Sequence, residues 1–130
     1  DVHLSRGGVC RYHLVVKIAK RWDGEPKNIM MGAFAGHADI KQVTVVDEDV
    51  DIRDPVEVEW AVATRFQAAS DLVVVAGAQG SRLDPSGTDG RVDKMGLDAT
   101  KPLGGDPFTF TVVHVPGEDD EALDAWLEEG

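Results

Sequence analysis

The clearest pattern of apolar and polar residues runs from Lys41 to Arg65, where an apolar run, an acidic connection and a mixed segment follow one another. Val43, Val45 and Val46 predict a mostly buried strand. Their β-branched side chains suit a pleated sheet, and a continuous apolar run suits a strand covered on both faces. The acidic connection indicates that this strand ends near Asp47.

The residues after the acidic connection predict a helix start. Asp54 can accept hydrogen bonds from the unpaired N–H groups of the first turn, and Pro55 has a preset φ and no N–H of its own. Glu57 stands where the reciprocal partner of a capping box is expected.

The other periodic segments predict alternating strands and helices. Gly7 and Gly8 indicate a turn after the first strand, and Pro26 opens a helix that ends near Gly36. The predicted strands lie within residues 1–10, 11–20, 42–47, 71–77 and 107–117, and the predicted helices lie at 27–37, from 54 onwards, and at 119–130.

This order of elements predicts an α/β fold in a single domain covering residues 1–130. The expected sheet is mixed and mostly parallel, flanked by helices, with a parallel pair formed by the strands around residues 42 and 72. The strand at 71–77 is expected to be buried. A chain of this length buries roughly two-thirds of its unfolded surface, which is enough to fold alone.

Residues 78–107 interrupt the pattern and predict one long irregular loop, rich in glycine and proline. Loops of this length are usually functional or disordered. Within it, Lys94, Asp98, Thr100 and Lys101 combine charge with neighbouring glycine and proline, which favours a lid or a contact segment. A solvated connection is the alternative interpretation.

Composition narrows the function classes. The formal charge of −11 repels nucleic acids and anionic membranes, and no run is long and apolar enough for a membrane helix or a signal peptide. We therefore expect a cytoplasmic protein that binds neither nucleic acid nor membrane. Cys10 is the single cysteine, which excludes an internal disulfide. Asp1 in place of methionine suggests a fragment of a longer chain or a trimmed terminus.

Three alternating aspartates resemble the opening of a calcium-binding loop. Asp47, Asp49 and Asp51 would share one face of an extended backbone. The EF-hand pattern requires glycine at its sixth position and glutamate at its twelfth, whereas Ile52 and Val58 occupy those positions. A solvated turn is the better interpretation, and no metal site is predicted.

Other binding and catalytic motifs are incomplete. The four histidines are scattered, and the spacing of Cys10 and His13 has no second pair to complete a zinc site. No G-x-S-x-G sequence is present. The stretch from Gly77 to Gly80 follows a predicted strand but lacks both the G-x-G-x-x-G pattern and a Walker lysine, so a nucleotide site is not predicted.

Four segments taken together resemble the carboxy-terminal domain of UbiD-type decarboxylases. They are GGVCRYHLVVKI with GEPKN, VTVVDEDVDIRDPVEVEWAVATR, DLVVVAG followed by LDPSG, and KMGLDAT. They occur in the family's order, and the resemblance extends from about Arg6 to Pro116.

The resemblance implies that this chain is one domain or a small subunit of a larger enzyme. Such enzymes decarboxylate aromatic or α,β-unsaturated acids reversibly, using prenylated FMN with manganese and a monovalent cation. The family's cofactor and its catalytic Glu-Arg-Glu residues lie mainly in the preceding domain, so no catalytic residue and no bound cofactor is assigned to this chain alone.

The same resemblance predicts what this chain contributes. We expect it to close the active site and to make subunit contacts, with the rest of the decarboxylase as its partner and a homo-oligomer as the assembly. Lys94, Asp98 and Thr100 are predicted to lie nearest the shared site. The alternatives are a free-standing binding or oligomerisation module without catalytic activity, and a small acidic ligand-binding protein.

Overall fold

The computed structural model describes residues 1–114 and shows a five-stranded mixed sheet with helices packed on both faces. In this part of the chain, no helix is long and apolar enough to cross a membrane. The elements in chain order are β1 (Val2–Leu4), β2 (His13–Ile18), α1 (Glu25–Gly36), β3 (Gln42–Asp47), α2 (Pro55–Arg65), α3 (Ala68–Asp71), β4 (Leu72–Gln79) and β5 (Arg91–Ala99).

The strands are arranged in the order β1-β2-β3-β5-β4. The three inner strands β2, β3 and β5 are parallel, while β1 and β4 run antiparallel to them at the two edges. The predicted mixed α/β fold is therefore confirmed. The predicted parallel pair around residues 42 and 72 is wrong, because β5 lies between β3 and β4.

The prediction of a buried strand at 71–77 is also wrong. β4 is an edge strand, and Val74 is 61% exposed on it. A run of β-branched residues predicts a strand but does not reveal whether anything covers it, which depends on the strand's place in the sheet.

The predicted irregular loop at 78–107 contains β5, which lies inside the sheet beside β3. This strand escaped prediction because Lys94 and Asp98 occupy buried positions where a strand pattern normally has apolar residues. Gly96 also lies on it, where a Cβ atom would collide with the sulfur of Met30. The irregular segment between β4 and β5 is limited to residues 80–90.

The connection at 80–90 is anchored to the sheet by an ion pair. Lys41 directly precedes β3, and its Nζ lies 2.7 Å from Asp84 Oδ2. Ser86 N–H donates a hydrogen bond to the same carboxylate. These hydrogen bonds lower the pKa of Asp84 to about 2, and the bond from Lys41 has the largest effect.

Two terminal predictions have different outcomes. Residues 107–114 form no strand, so that part of the predicted strand at 107–117 is wrong. The remainder of that segment and the predicted helix at 119–130 lie outside the described residues.

The predicted start of α2 is confirmed, with one correction to its capping. Asp54 is the N-cap, and its Oδ1 accepts a hydrogen bond from Val56 N–H at 2.9 Å. Glu57 does not close a capping box on Asp54. Its carboxylate instead accepts from Asp51 N–H at 2.6 Å, which orders the acidic connection before the helix.

The core has two layers because alternate residues of β3 face opposite sides of the sheet. Val43 and Val45 pack with Met30 of α1, whereas Val46 packs with Val58 and Ala61 of α2. The three valines of β3 are fully buried, as predicted.

Candidate functional site

One face of the sheet is only partly covered, and a large open cavity lies there. α2 packs on this face through Val58 and Ala61. Beside it is an open cavity of about 850 Å³, bounded by α2, by the turn between β1 and β2, by the amino-terminal halves of β2 and β3, and by Leu97 of β5. Large apolar pockets with a few convergent polar groups are the usual binding sites of proteins.

A histidine lies between two hydroxyl groups on the wall of this cavity. His13 Nδ1 is 3.0 Å from Ser5 Oγ, and His13 Nε2 is 2.9 Å from Thr44 Oγ1. Ser5 Oγ also accepts from Gly8 N–H at 3.1 Å. The imidazole therefore ties the turn between β1 and β2 to the centre of the sheet.

Burial, and then the nearby His3, lowers the pKa of His13. Between this lowered pKa and the ordinary value of 6.5, the unfolded chain binds more protons than the folded one. Stability should consequently fall as the pH decreases below about 6.5, with a ceiling of about 1.4 kcal/mol per pH unit for one proton. Urea unfolding at pH 7.5 and 5.5 measures this loss.

The matched variant for this prediction is His13→Gln, which keeps an amide near Thr44 but does not titrate. Its unfolding free energy should change less between the two pH values than that of the wild type. An equal change in both proteins would assign the pH dependence to other groups.

The charges around the cavity are mostly cationic, in a chain with a net charge of −11. Arg6 and Arg53 line it, opposed by Glu59. A second open cavity of about 600 Å³, at the carboxyl ends of the parallel strands, has the opposite character. Its charged lining is mainly acidic and consists of Asp47, Glu48, Asp49 and Asp106 with Lys20 and Lys101. Of the two cavities, the first is better suited to an anion.

The apolar surface of the first cavity continues beyond it. Leu97 of β5 lines the cavity, and Met95 shares its face of the strand because side chains alternate. Leu72 and Val74 of β4 are their cross-strand partners and project on the same side. Leu72, Val74 and Met95 are 37%, 61% and 36% exposed, so this part of the sheet is open.

The predicted site residues Lys94, Asp98 and Thr100 are not in this cavity. Lys94 and Asp98 alternate with Leu97 and face α1. Lys94 Nζ donates to the carbonyls of Ala38 and Ile40 at 2.8 Å each, and burial lowers the pKa of Lys94. That Lys94, Asp98 and Thr100 are the residues nearest a shared active site stays a prediction.

Asp98 and Thr100 bond to each other. Asp98 Oδ1 accepts from the Thr100 hydroxyl at 2.6 Å and from its N–H at 3.0 Å. Both residues are buried. These contacts fix the turn that follows β5, so in the described residues they have a structural use.

The acidic connection that resembled a calcium loop binds an arginine instead. Arg65, at the end of α2, donates to Asp47 Oδ2 at 2.9 Å and to both oxygens of Asp49 at 3.0 and 3.1 Å. Lys101 Nζ adds a bond to Asp49 at 2.9 Å. Burial would raise the pKa of Asp49, but the bonds from Arg65 and Lys101 outweigh it and lower that pKa.

Sequence reasoning missed Arg65, although a signal was present. Two aspartates end the strand, and an amphipathic helix follows them. An arginine in the last turn of such a helix can lie close to the end of that strand and pair with the aspartates. Within residues 1–114 no group of three or more histidine, cysteine or acidic side chains could hold a metal ion.

The stretch from Gly77 to Gly80, which follows a predicted strand as a phosphate-binding loop would, packs against the neighbouring strand. Gly77 to Gly80 ends an edge strand, and β5 follows without an intervening helix. A Cβ atom on Gly80 would collide with Val92, so this glycine permits close strand packing rather than forming an open cradle.

Comparisons with known proteins agree with this architecture. Residues 1–99 match the family model described as the 3-octaprenyl-4-hydroxybenzoate carboxy-lyase C-terminal domain. The anhydromevalonate phosphate decarboxylase of Aeropyrum pernix is 57% identical over 91 residues, which are 70% of this chain and 21% of that protein. The Archaeoglobus fulgidus protein of the same name is 51% identical over 110 residues, or 84% of this chain and 26% of that protein.

Solved structures give the same result. The UbiD-class enzyme HmfF from Pelotomaculum thermopropionicum, in complex with FMN, superposes with a TM-score of 0.85 and 49% identity. The match covers 97% of this chain and 28% of that enzyme. The chain thus spans about a quarter of the length of its relatives. It belongs to the UbiD family of decarboxylases, as a representative of that family's carboxy-terminal domain.

Proposed function

We propose that this chain is the carboxy-terminal part of a prenylated-FMN-dependent decarboxylase and forms one wall of its active site. The observation that carries this proposal is the open cavity beside α2, with its His13 contacts and its cationic rim. An evolved dimeric form of HmfF in complex with prenylated FMN is 40% identical to this chain, with a TM-score of 0.70.

The exposed sheet surface supports a role in closure and assembly. Leu72, Val74 and Met95 extend the apolar lining of the cavity onto β4 and β5. A surface of this kind normally marks an interface. We assign it to the rest of the same enzyme, because the relatives are about four times as long as the matched region. We also propose that the complete enzyme is a homo-oligomer and that it is located in the cytoplasm.

The proposed substrate is an α,β-unsaturated carboxylic acid that carries a phosphate group. The relatives with 57% and 51% identity act on anhydromevalonate phosphate, and Arg6 on the cavity rim, which makes no ion pair among the described residues, suits a phosphate group. An aromatic acid is the second candidate. A 3,4-dihydroxybenzoic acid decarboxylase from Klebsiella pneumoniae is structurally similar but only 25% identical.

In this proposal the rest of the enzyme holds prenylated FMN, manganese and a monovalent cation. This chain would bind and orient the acid and exclude water from it. It would accordingly be inactive by itself.

The test compares this chain with the complete protein that contains it, each supplied with prenylated FMN and manganese. We expect release of carbon dioxide from anhydromevalonate phosphate by the complete protein and none from the chain alone. Turnover by the chain alone would refute the assignment of catalysis elsewhere. A complete protein that is inactive on both anhydromevalonate phosphate and 3,4-dihydroxybenzoate would favour a binding or oligomerisation module.

A further inference from the structure

We propose that the turn between β1 and β2 binds the phosphate group of the substrate, through the guanidinium of Arg6 and the backbone N–H groups of Arg6 and Gly7. The inference rests on the proposed function, because it requires a phosphorylated acid. It places the phosphate end of the substrate at the turn between β1 and β2.

The donors of this turn are available. Among the described residues, the N–H groups of Arg6 and Gly7 donate to no protein acceptor, and the Arg6 guanidinium makes no ion pair. Other cations near this end of the sheet are already paired, including Arg53 of the cavity lining, which lies 2.9 Å from Asp1. Arg11 lies 3.6 Å from Asp39, and Lys41 lies 2.7 Å from Asp84.

The rest of the turn is held in place by its own hydrogen bonds. Val9 N–H donates to the carbonyl of Arg6 at 3.0 Å, and Cys10 N–H donates to that of Ser5 at 2.9 Å. The Ser5 hydroxyl receives Gly8 N–H and contacts His13. An anion would therefore meet backbone donors that are already fixed in position, which reduces the entropy lost on binding, whereas the Arg6 side chain would be ordered by the anion itself.

The position of the turn suits a molecule with a charged end and a hydrocarbon body. Arg6 and Gly7 lie on the cavity wall, and Val15, Val58 and Leu97 line its apolar part. A phosphate held at the turn would leave the carbon chain against these side chains. A guanidinium and adjacent backbone N–H groups are the donors that phosphate oxygens usually take in proteins.

The experiment measures the kinetics of the complete, cofactor-loaded enzyme on anhydromevalonate phosphate and on the same acid without phosphate. Arg6→Gln should raise KM for the phosphorylated acid about 10- to 100-fold, the effect of losing a charged hydrogen bond, with kcat nearly unchanged. The KM for the unphosphorylated acid should change much less, so the preference of the enzyme for the phosphorylated acid should fall. Arg6→Lys should give an intermediate KM, because it keeps the charge and loses the planar fork.

The matched control is Arg82→Gln, since Arg82 is also exposed and makes no ion pair among residues 1–114, but does not line the cavity. It should leave both substrates unaffected. If the wild type prefers the phosphorylated acid and Arg6→Gln and Arg6→Lys retain that preference in full, the inference is wrong and the proposed function stands. If the wild type shows no preference for phosphate, the proposed substrate is wrong, and the inference falls with it.

Discussion

Replacing Arg65 with methionine is expected to lower the free energy of unfolding of this domain by about 3 kcal/mol. The Arg65 side chain is 1% exposed and neutralises Asp47 and Asp49, so its loss leaves two carboxylates close together without their main counter-ion. The guanidinium also lies 5.1 Å from the Trp60 ring and 5.8 Å from the Phe110 ring, and those contacts disappear as well. Methionine keeps the apolar stem, so the experiment reports on the charge.

Urea unfolding measures this effect, with Arg21→Met as the matched control. Arg21 pairs with Glu25 at 3.5 Å but is 82% exposed, and exposed pairs contribute less than about 1 kcal/mol. The control should therefore resemble the wild type. A loss in Arg65→Met no larger than that in Arg21→Met would show that the buried network does not stabilise the fold.

Replacing Gly8 with alanine is expected to destabilise the domain by about 2–3 kcal/mol. A Cβ atom there would lie 2.8 Å from the backbone nitrogen of His13 and would also collide with the His13 Cβ atom. Neither atom can move without shifting β2, so the turn itself must be displaced. The bonds that join Ser5 to His13 and to Gly8 N–H would then break, and the cavity wall would change shape.

The neighbouring glycine provides the control for this prediction. A Cβ atom on Gly7 would have no neighbour within 4 Å, and neither glycine has a φ in the left-handed region. Gly7→Ala should consequently leave stability unchanged or raise it slightly, because alanine reduces the freedom of the unfolded chain. Equal melting temperatures for the two variants in a thermal scan would contradict the close packing of Gly8 on His13.

Local sequence signals were sufficient for much of the fold. The buried valines of β3 and the Asp54 cap could be predicted because each depends on a few adjacent residues. β5 could not be predicted. The burial of Lys94 is tolerated because the carbonyls of Ala38 and Ile40, more than 50 residues away, accept hydrogen bonds from its ammonium group.

The candidate site was hidden from sequence reasoning for a similar reason. His13 and Thr44 are 31 residues apart, and nothing near either of them predicts that a sheet will bring them into contact. The apolar face of β4 and β5 was also missed, because a strand pattern does not record which of its faces other elements cover.

The position of β5 within the sheet affects how the chain must be made. β3 occupies the middle of the sheet, yet its neighbour on one side is the last strand in the described chain to leave the ribosome. Until residues 91–99 have emerged, β3 has one unpaired edge and β4 has no strand to join. Synthesis of this domain therefore passes through a stage in which a strand that is buried in the finished fold is open to other chains, and that stage ends only when β5 inserts between β3 and β4.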